Sequence, residues 1–523
     1  MADYDAVIVG AGHNGLVCAA YLMRAGWRVA VVEANADIGG GLRSGEVTLP
    51  GFCHDRYATN VGVFAASPAY RDLKTGFDSF GLKFLRSDKA YAAVHDSRAV
   101  RVYTVADRTE AEFAALGASE VDGWRQLIEL YKRVAPHLFE LFYTEFPSAA
   151  LWSQLANMLA GSATDTARLA RLLLQSSGGF AGRFFQSSAA RGLLEAWGYH
   201  LDFGPDVRGG AVFAFIAAVS SHLNGMSLAE GGAGRITKAL GTMLEQGGAR
   251  VLTNTEVTRI VIKSGAAIAV RTRSGDELTA GRAIVASVTP PHLFGRLVAA
   301  DDIDSRFLRR VQSYRYGPGT FIIHLALDRM PQWKTAEDLG GFSYVHLNSS
   351  EREIADTYRH SQNGQLPTRP LLVVSQTTPT DPSRAPAGRH VMRVHVRTVP
   401  GRIDGDAAGT ITARNWQQAK EQFAERILDL VEEEAPDLRD CIIGSAVESP
   451  DEIEHANPNF VGGDCVSGSH HFDQNFFFRP LLGWSRYATP ISQLYMIGAS
   501  TWPGGGVNAG SGYILARKLL QRA

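Results

Sequence analysis

The chain has 523 residues, more than one hydrophobic core organises, so two domains are expected. Hydrophobic residues make up 45% and charged residues 20%, the balance of an ordinary globular protein. A formal net charge of −1 gives no electrostatic support for a nucleic-acid or other polyanionic partner.

The first element read along the chain is an apolar run, Ala6 to Val9, that meets Gly10-x-Gly12-x-x-Gly15. A helical pattern follows, then a second apolar run, Val29 to Val32, ending in Glu33. This is a complete βαβ dinucleotide fingerprint. Gly10 permits the tight turn, Gly12 lets backbone approach a pyrophosphate, and Gly15 lets the helix pack on the strand. The helix start at His13 and Asn14 offers free N–H groups and a positive dipole end to phosphates. Glu33 is placed to accept hydrogen bonds from ribose hydroxyls. It also repels a 2′-phosphate, and Ala34-Asn35 supplies no arginine, so FAD and NAD remain and NADP does not fit.

A glycine-rich loop comes next, Asp37-Ile-Gly39-Gly40-Gly41-Leu42-Arg43-Ser44. Glycines here let backbone run beside a bulky ligand, and Arg43 is able to pair with a pyrophosphate or lie along a flavin edge. Residues about 107–222 carry helical patterns, including Trp124, Leu127, Ile128 and Tyr131. Their apolar residues (Leu138, Phe139, Leu141, Phe142, Phe180, Phe184, Phe185) either line an apolar pocket or form the helical layer's own core. Strand patterns return at 249–263, 267–272 and Ala283 to Ala286. Further strands are expected over Thr320 to Leu327, Leu371 to Gln376 and His390 to Thr398, with a helix over Trp416 to Glu434. The last strand, Leu494 to Ile497, runs into Gly498 and the Gly504-Gly505-Gly506-Val507-Asn508 turn before a terminal helix. Free amides at that helix start would face O2 and N1 of a flavin ring, where the reduced ring carries its negative charge.

This order predicts an α/β protein. A discontinuous Rossmann-like nucleotide domain (1–66, 225–295 and 452–523) carries an inserted mixed α+β substrate or cap domain (67–224 and 296–451). The cysteines (Cys18, Cys53, Cys441, Cys465) form no C-x-x-C pair, zinc spacing or disulfide framework, so no metal site is expected. A reduced cytoplasmic setting fits them. The first strand begins too early for a signal peptide, and the longest apolar stretch, Ala211 to Val219, is too short to span a bilayer. Peripheral membrane contact stays open.

Together these motifs resemble the phytoene dehydrogenase-like branch of the FAD-dependent amine oxidase superfamily, which includes carotenoid desaturases and isomerases. Leu49-Pro50-Gly51-Phe52-Cys53-His54-Asp55, Glu230-Gly231-Gly232, Thr253 to Val257 and Tyr487-x-Thr489-Pro490 add to the likeness. The resemblance implies that Gly10 to Gly15, Glu33, Gly40, Gly41 and Arg43 hold FAD. It also implies that Val257 meets the adenine through its backbone, and that Gly498 with Gly506, Val507 and Asn508 holds the ribityl chain and ring. The sequence departs from that pattern at Arg56 to Asn60 and at Thr501-Trp502.

The expected reaction is hydride transfer from a hydrophobic or aromatic substrate (at a C–C, C–N or C–O bond) to flavin N5, with oxygen or a quinone as acceptor. The alternatives are double-bond isomerisation without net redox and a non-catalytic carrier on the same fold. His54 and Asp55 are candidates for proton transfer beside the ring, and Trp502 for closing the pocket. His470 and His471 are further candidates for the pocket wall.

Overall fold

A computed structural model describes residues 2–95, 97–348 and 350–521. The first strand, Tyr4–Val9, lies at the centre of a parallel array. Val29–Val32 pairs with it on one side and Ala283 to Ala286 on the other. Arg250–Leu252 and Leu494–Met496 add the outer parallel strands. The array is therefore assembled from both ends and the middle of the chain.

Alternation along the central strand sorts its side chains into two cores. Ala6 and Ile8 join residues of the helices His13–Arg24, Gly234–Gln246 and Gly510–Gln521. Val7 and Val9 face the other way, toward Val257, Ile260, Leu293 and Phe294. Helix Pro68–Ser79 contributes Ala69, Leu73 and Phe77 to the first of these cores.

The alternating segment 249–263 is two strands rather than one. Arg250–Leu252 closes the parallel array, whereas Val257–Lys263 opens an antiparallel meander. Between them Asn254 takes a left-handed φ of +49°. The turn is fixed by the amides of Asn254 and Thr255, which donate to the carbonyls of Asn35 and Glu33 at 2.9 and 2.8 Å. That swing brings Val257 beside the end of the second strand.

A second, seven-stranded sheet runs in the order Ile442–Glu448, Gly319–Leu327, His390–Val399, Leu372–Gln376, Tyr344–Asn348, Lys89–His95, Arg98–Tyr103. Only the pair Tyr344–Asn348 and Lys89–His95 is parallel. One face packs on helix Trp416–Glu432 through Phe321, Ile323, Val394 and Val396. The other face is covered at its Lys89–Tyr103 end by helices Ala118–Phe142, Ser188–Glu195 and Gly210–Asn224. Phe180 and Phe185 belong to that helical core. The remainder of this face looks onto the first sheet's loops.

Candidate functional site

The site begins at the end of the central strand. Gly10 adopts φ +97°, open to glycine at little cost. A Cβ on Gly15 would lie 2.2 Å from the Gly10 carbonyl oxygen, so the first helix approaches the turn as closely as backbone permits. A Cβ on Gly12 would meet nothing within 4 Å. The space in front of Gly12 is thus free while the space behind Gly15 is filled. No side chain caps helix His13–Arg24 and no acid sits in its first turn, so its leading amides stay open to an anion. Asn14 donates to Nε2 of His13 at 3.1 Å, and burial pulls His13 down to about 4, leaving it neutral.

Glu33 is anchored at the end of the second strand. Its Oε2 accepts from the Ala11 amide at 2.9 Å, and Oε1 accepts from the Asn35 amide and side chain at 2.9 and 3.1 Å. The carboxylate is therefore held in place with lone pairs to spare for ribose hydroxyls. The glycine loop closes over the same turn. The Gly39 amide donates to the Ala11 carbonyl at 3.0 Å, and Gly40 (φ +56°) passes so near that its Cβ would lie 3.2 Å from Gly12 Cα. Arg43 makes one long bond, 3.4 Å, to the Ala456 carbonyl.

The terminal motif faces this loop. The helix starts at Gly510, after Ala509 in a left-handed conformation at φ +56°. Asn508 works on the loop rather than into the open space. Its Oδ1 accepts from the Gly510 amide at 2.8 Å, and its Nδ2 donates to the carbonyls of Gly504, Gly505 and Gly506 at 3.2 to 3.3 Å. His470 accepts from the Gly505 amide at 2.7 Å, and His471 bonds Tyr358. Both histidines brace this region from behind.

One cavity of about 690 Å³ joins these parts. Gly10, Gly12, His13, Asn14, Glu33 and Val257 line one arm. Gly40, Gly41, Arg43, Gly498, Gly506 and Val507 line the middle. Tyr131, Phe139, Trp197, Phe213 and Ile216 bring an apolar wall from the helical layer. Of the helical aromatics expected in a pocket, Phe139 lines it, and Phe180, Phe184 and Phe185 pack among themselves and their helices. A dinucleotide fits these residues: backbone is bare where a pyrophosphate needs room, and a fixed carboxylate stands where a ribose would end.

Besides Asn508, His470 and His471, which stand behind the cavity wall, the candidates His54, Asp55 and Trp502 also lie outside this cavity. Asp55 is saturated by structural partners: Oδ1 accepts from Ser44 and the Ala233 amide at 2.6 and 2.7 Å, and Oδ2 pairs with Arg384 at 2.5 Å. His54 is buried, bonds Thr48 at 2.9 Å and sits edge-on to His324; burial drives it down to about 3. Trp502 is buried against Phe142, Phe146 and Phe476, with its indole N–H on the Thr144 carbonyl at 3.0 Å.

Polar groups that the motifs did not announce line the cavity instead. Arg393, His395 and Arg397 come from strand His390–Val399, and His200 from the turn Ala196–His200 between helices Ser188–Glu195 and Gly210–Asn224. Their signal was the alternation Met392-Arg-Val-His-Val-Arg-Thr398, which reads as a half-exposed strand until the facing loops are known.

A family model for flavin containing amine oxidoreductases matches residues 15–509. The chain belongs to the flavin containing amine oxidoreductase family. Relatives span nearly its whole length. Pyridine nucleotide-disulfide oxidoreductase domain-containing protein 2 of Rattus norvegicus is 24% identical, covering 98% of this chain and 92% of its own. A limonene dehydrogenase polypeptide of Castellaniella defragrans is 26% identical, covering 99% and 94%. Prolycopene isomerases and phytoene desaturases are also among the relatives. Putrescine oxidase shares the fold, with a TM-score of 0.61 at 17% identity over 99% of this chain and 98% of its own.

As a phytoene dehydrogenase-like member of this amine oxidoreductase family, the protein is an FAD-dependent oxidoreductase. Its α/β architecture is that of the FAD-dependent amine oxidases. Among the described residues, no helix is long and apolar enough to cross a membrane.

Proposed function

We propose that the protein oxidises an apolar or aromatic organic molecule at a C–C, C–N or C–O bond, in a cavity shared with the flavin. The bound flavin supplies the hydride acceptor at N5. The observation that carries this reading is the continuity of the cavity: the fingerprint glycines and the Trp197, Phe213 and Ile216 wall line the same space. A site for a cofactor alone would need no such extension.

The chain's residues have distinct tasks here. Gly12, Gly40 and the amides at His13 and Asn14 receive the pyrophosphate. Glu33 takes the ribose hydroxyls, Val257 flanks the adenine, and Arg43 pairs with phosphate or lies along the ring. Gly498, Gly506 and Val507 give the ring a bare backbone surface, which Asn508 stiffens from behind. The helical wall excludes water and positions the donor. His200 stacks on Trp197 with ring centroids 4.6 Å apart, faces the same space and shares a hydrogen bond with His346 at 3.0 Å, so its neutral imidazole orders this wall.

Anaerobic mixing of the FAD-loaded protein with aromatic alcohols, amines and polyenes tests this reading. Loss of the long-wavelength flavin band, restored by oxygen or a quinone, is the expected result. A polyene that is isomerised with the band unchanged would favour isomerisation without net redox. Retention of the band with every donor, and no isomerised product, counts against the proposal.

A further inference from the structure

Strand His390–Val399 supplies the charged part of the cavity wall. Met392, Val394 and Val396 belong to the core on the sheet's far face. Arg393, His395 and Arg397 therefore point the opposite way, into the cavity. Registry extends the row: His395 lies opposite Val373, and Val373 opposite His346.

Arg397 is oriented but not neutralised. Its Nε donates to the Tyr199 carbonyl at 3.2 Å, and Nη2 donates to the His200 carbonyl. Both acceptors are uncharged. Among the described residues, no carboxylate forms an ion pair with Arg397, and Nη1 has no protein acceptor. Asp464 acts on Arg397 only from longer range, its carboxylate being taken up by the amides of Gly317, Val466 and Gly468 at 2.8, 3.0 and 2.6 Å. Arg479 makes a useful contrast. It too donates to carbonyls, those of Ser469, Gln474, Gly468 and Ala499, but it is fully buried outside the cavity and serves as a strut.

The histidines beside Arg397 add no compensating charge. Burial keeps His395 and His200 far below the usual imidazole value, so both are neutral at pH 7. Nε2 of His395 and Nε of Arg393 are buried without a partner. Arg393 spends Nη1 on the carbonyls of Asp55 and Tyr57 at 2.9 and 2.8 Å. Two guanidinium groups thus share one wall: Arg393 Nε is buried without a partner, and Arg397 keeps Nη1 without a protein acceptor at the cavity. A buried donor left without a partner costs free energy, and an open guanidinium edge is available to an acceptor. A planar carboxylate matches an arginine fork better than any neutral group. Beside it, Trp197 and Tyr344 flank the His200 ring at 4.6 and 5.8 Å, a flat surface for an aromatic or conjugated body.

We propose that the molecule oxidised is a carboxylate on an apolar or conjugated body, and that Arg397 binds the carboxylate beside the Trp197–His200–Tyr344 stack. This rests on the reading of the cavity as a shared flavin and substrate site. It makes Arg397 the residue that selects an anionic donor over an uncharged hydrocarbon, which would leave the guanidinium desolvated and unpaired.

The test is calorimetric titration of the FAD-loaded protein with cinnamate and with its neutral counterpart cinnamamide. Cinnamate is expected to bind at least about tenfold more tightly. Arg397→Gln abolishes that preference, and Arg397→Lys keeps part of it. Flavin content and melting temperature are read on the same samples. Equal binding of the two compounds to the wild type, or absence of both, overturns the proposal even if Arg397→Gln does not fold. An unchanged preference in a folded Arg397→Gln protein overturns it as well. Failure of the flavin reading looks different: the protein then retains no FAD.

Discussion

The hydroxyl of Ser511 donates to Oδ1 of Asn14 at 2.9 Å, across 497 positions of sequence. Next to it, a Cβ on Gly512 would lie 2.1 Å from the Asn14 backbone oxygen. The fingerprint helix and the terminal helix are thus in backbone contact, which ties the glycine turn at the start of the chain to the glycine segment at its end. Gly512→Ala is expected to destabilise the protein by about 1–3 kcal/mol, the usual result of overpacking a tight contact. It should also lower FAD occupancy, because the Gly498–Asn508 segment moves with the helix. Thermal melting and the ratio of flavin to protein absorbance check both effects. A Gly512→Ala protein with wild-type melting and full occupancy would show that the contact is not tight.

Gly12 and Gly15 separate ligand space from packing space. Gly12→Ala adds a methyl group where the protein has nothing within 4 Å, at φ −72°, which alanine tolerates. It should fold normally and bind FAD about tenfold or more weakly, since the methyl occupies the pyrophosphate's approach. Gly15→Ala pushes against the Gly10 oxygen at 2.2 Å and should lower the melting temperature itself. Measuring melting without FAD and FAD affinity on each variant checks the division. The account fails here if Gly12→Ala unfolds or Gly15→Ala melts like the wild type.

Asp55 is predicted to matter for folding rather than for turnover. Arg384 sits between Asp55 at 2.5 Å and Asp381 at 2.8 Å, and all three side chains are buried. Asp55→Asn leaves the guanidinium short of one partner and is expected to cost about 3–5 kcal/mol. Among molecules that still fold and hold flavin, the rate of flavin reduction should be unchanged. Urea unfolding and single-turnover reduction, normalised to bound flavin, make that comparison.

Acid should destabilise the protein below about pH 6.5. Burial holds His346 at about 3 and His54 at about 3, both from 6.5, so the folded protein resists a proton that the unfolded chain accepts. The unfolded state then binds more protons, so stability is full above pH 6.5 and falls as pH drops toward 3. At pH 5 each such histidine accounts for about 2 kcal/mol. Unfolding midpoints at pH 7 and pH 5 measure the loss, and His346→Gln should reduce it by that amount. An equal loss in both proteins would assign the acid sensitivity elsewhere.

The fingerprint turn was legible in the sequence because its constraints are local. Gly10 takes a left-handed φ, Gly15 packs on the Gly10 carbonyl five residues back, and Glu33 follows the very next strand. The turn at Asn254 was not legible, since the alternation of 249–263 continues across it and the break depends on carbonyls of Asn35 and Glu33. The same holds for His54 and Asp55. The pairing of Asp55 with Arg384, 329 positions away, and the packing of His54 on His324 have no trace in the local pattern, so two adjacent titratable residues read as chemistry. Arg393, His395 and Arg397 were hidden for the opposite reason. Polar residues alternating on a strand ordinarily mark a solvent face, and only the placement of the helical layer and the flavin loops turns that face inward.

The central claim is that one cavity holds both the flavin and the molecule it oxidises. Ala217 lines the helical side of that cavity, away from the fingerprint glycines in the chain's architecture. Anaerobic flavin reduction in Ala217→Trp, with the best donor found for the wild type, tests the claim most directly. The account predicts normal FAD content with reduction slowed about tenfold or more, because the indole fills the donor's space. Wild-type reduction kinetics in a protein carrying that tryptophan would contradict it.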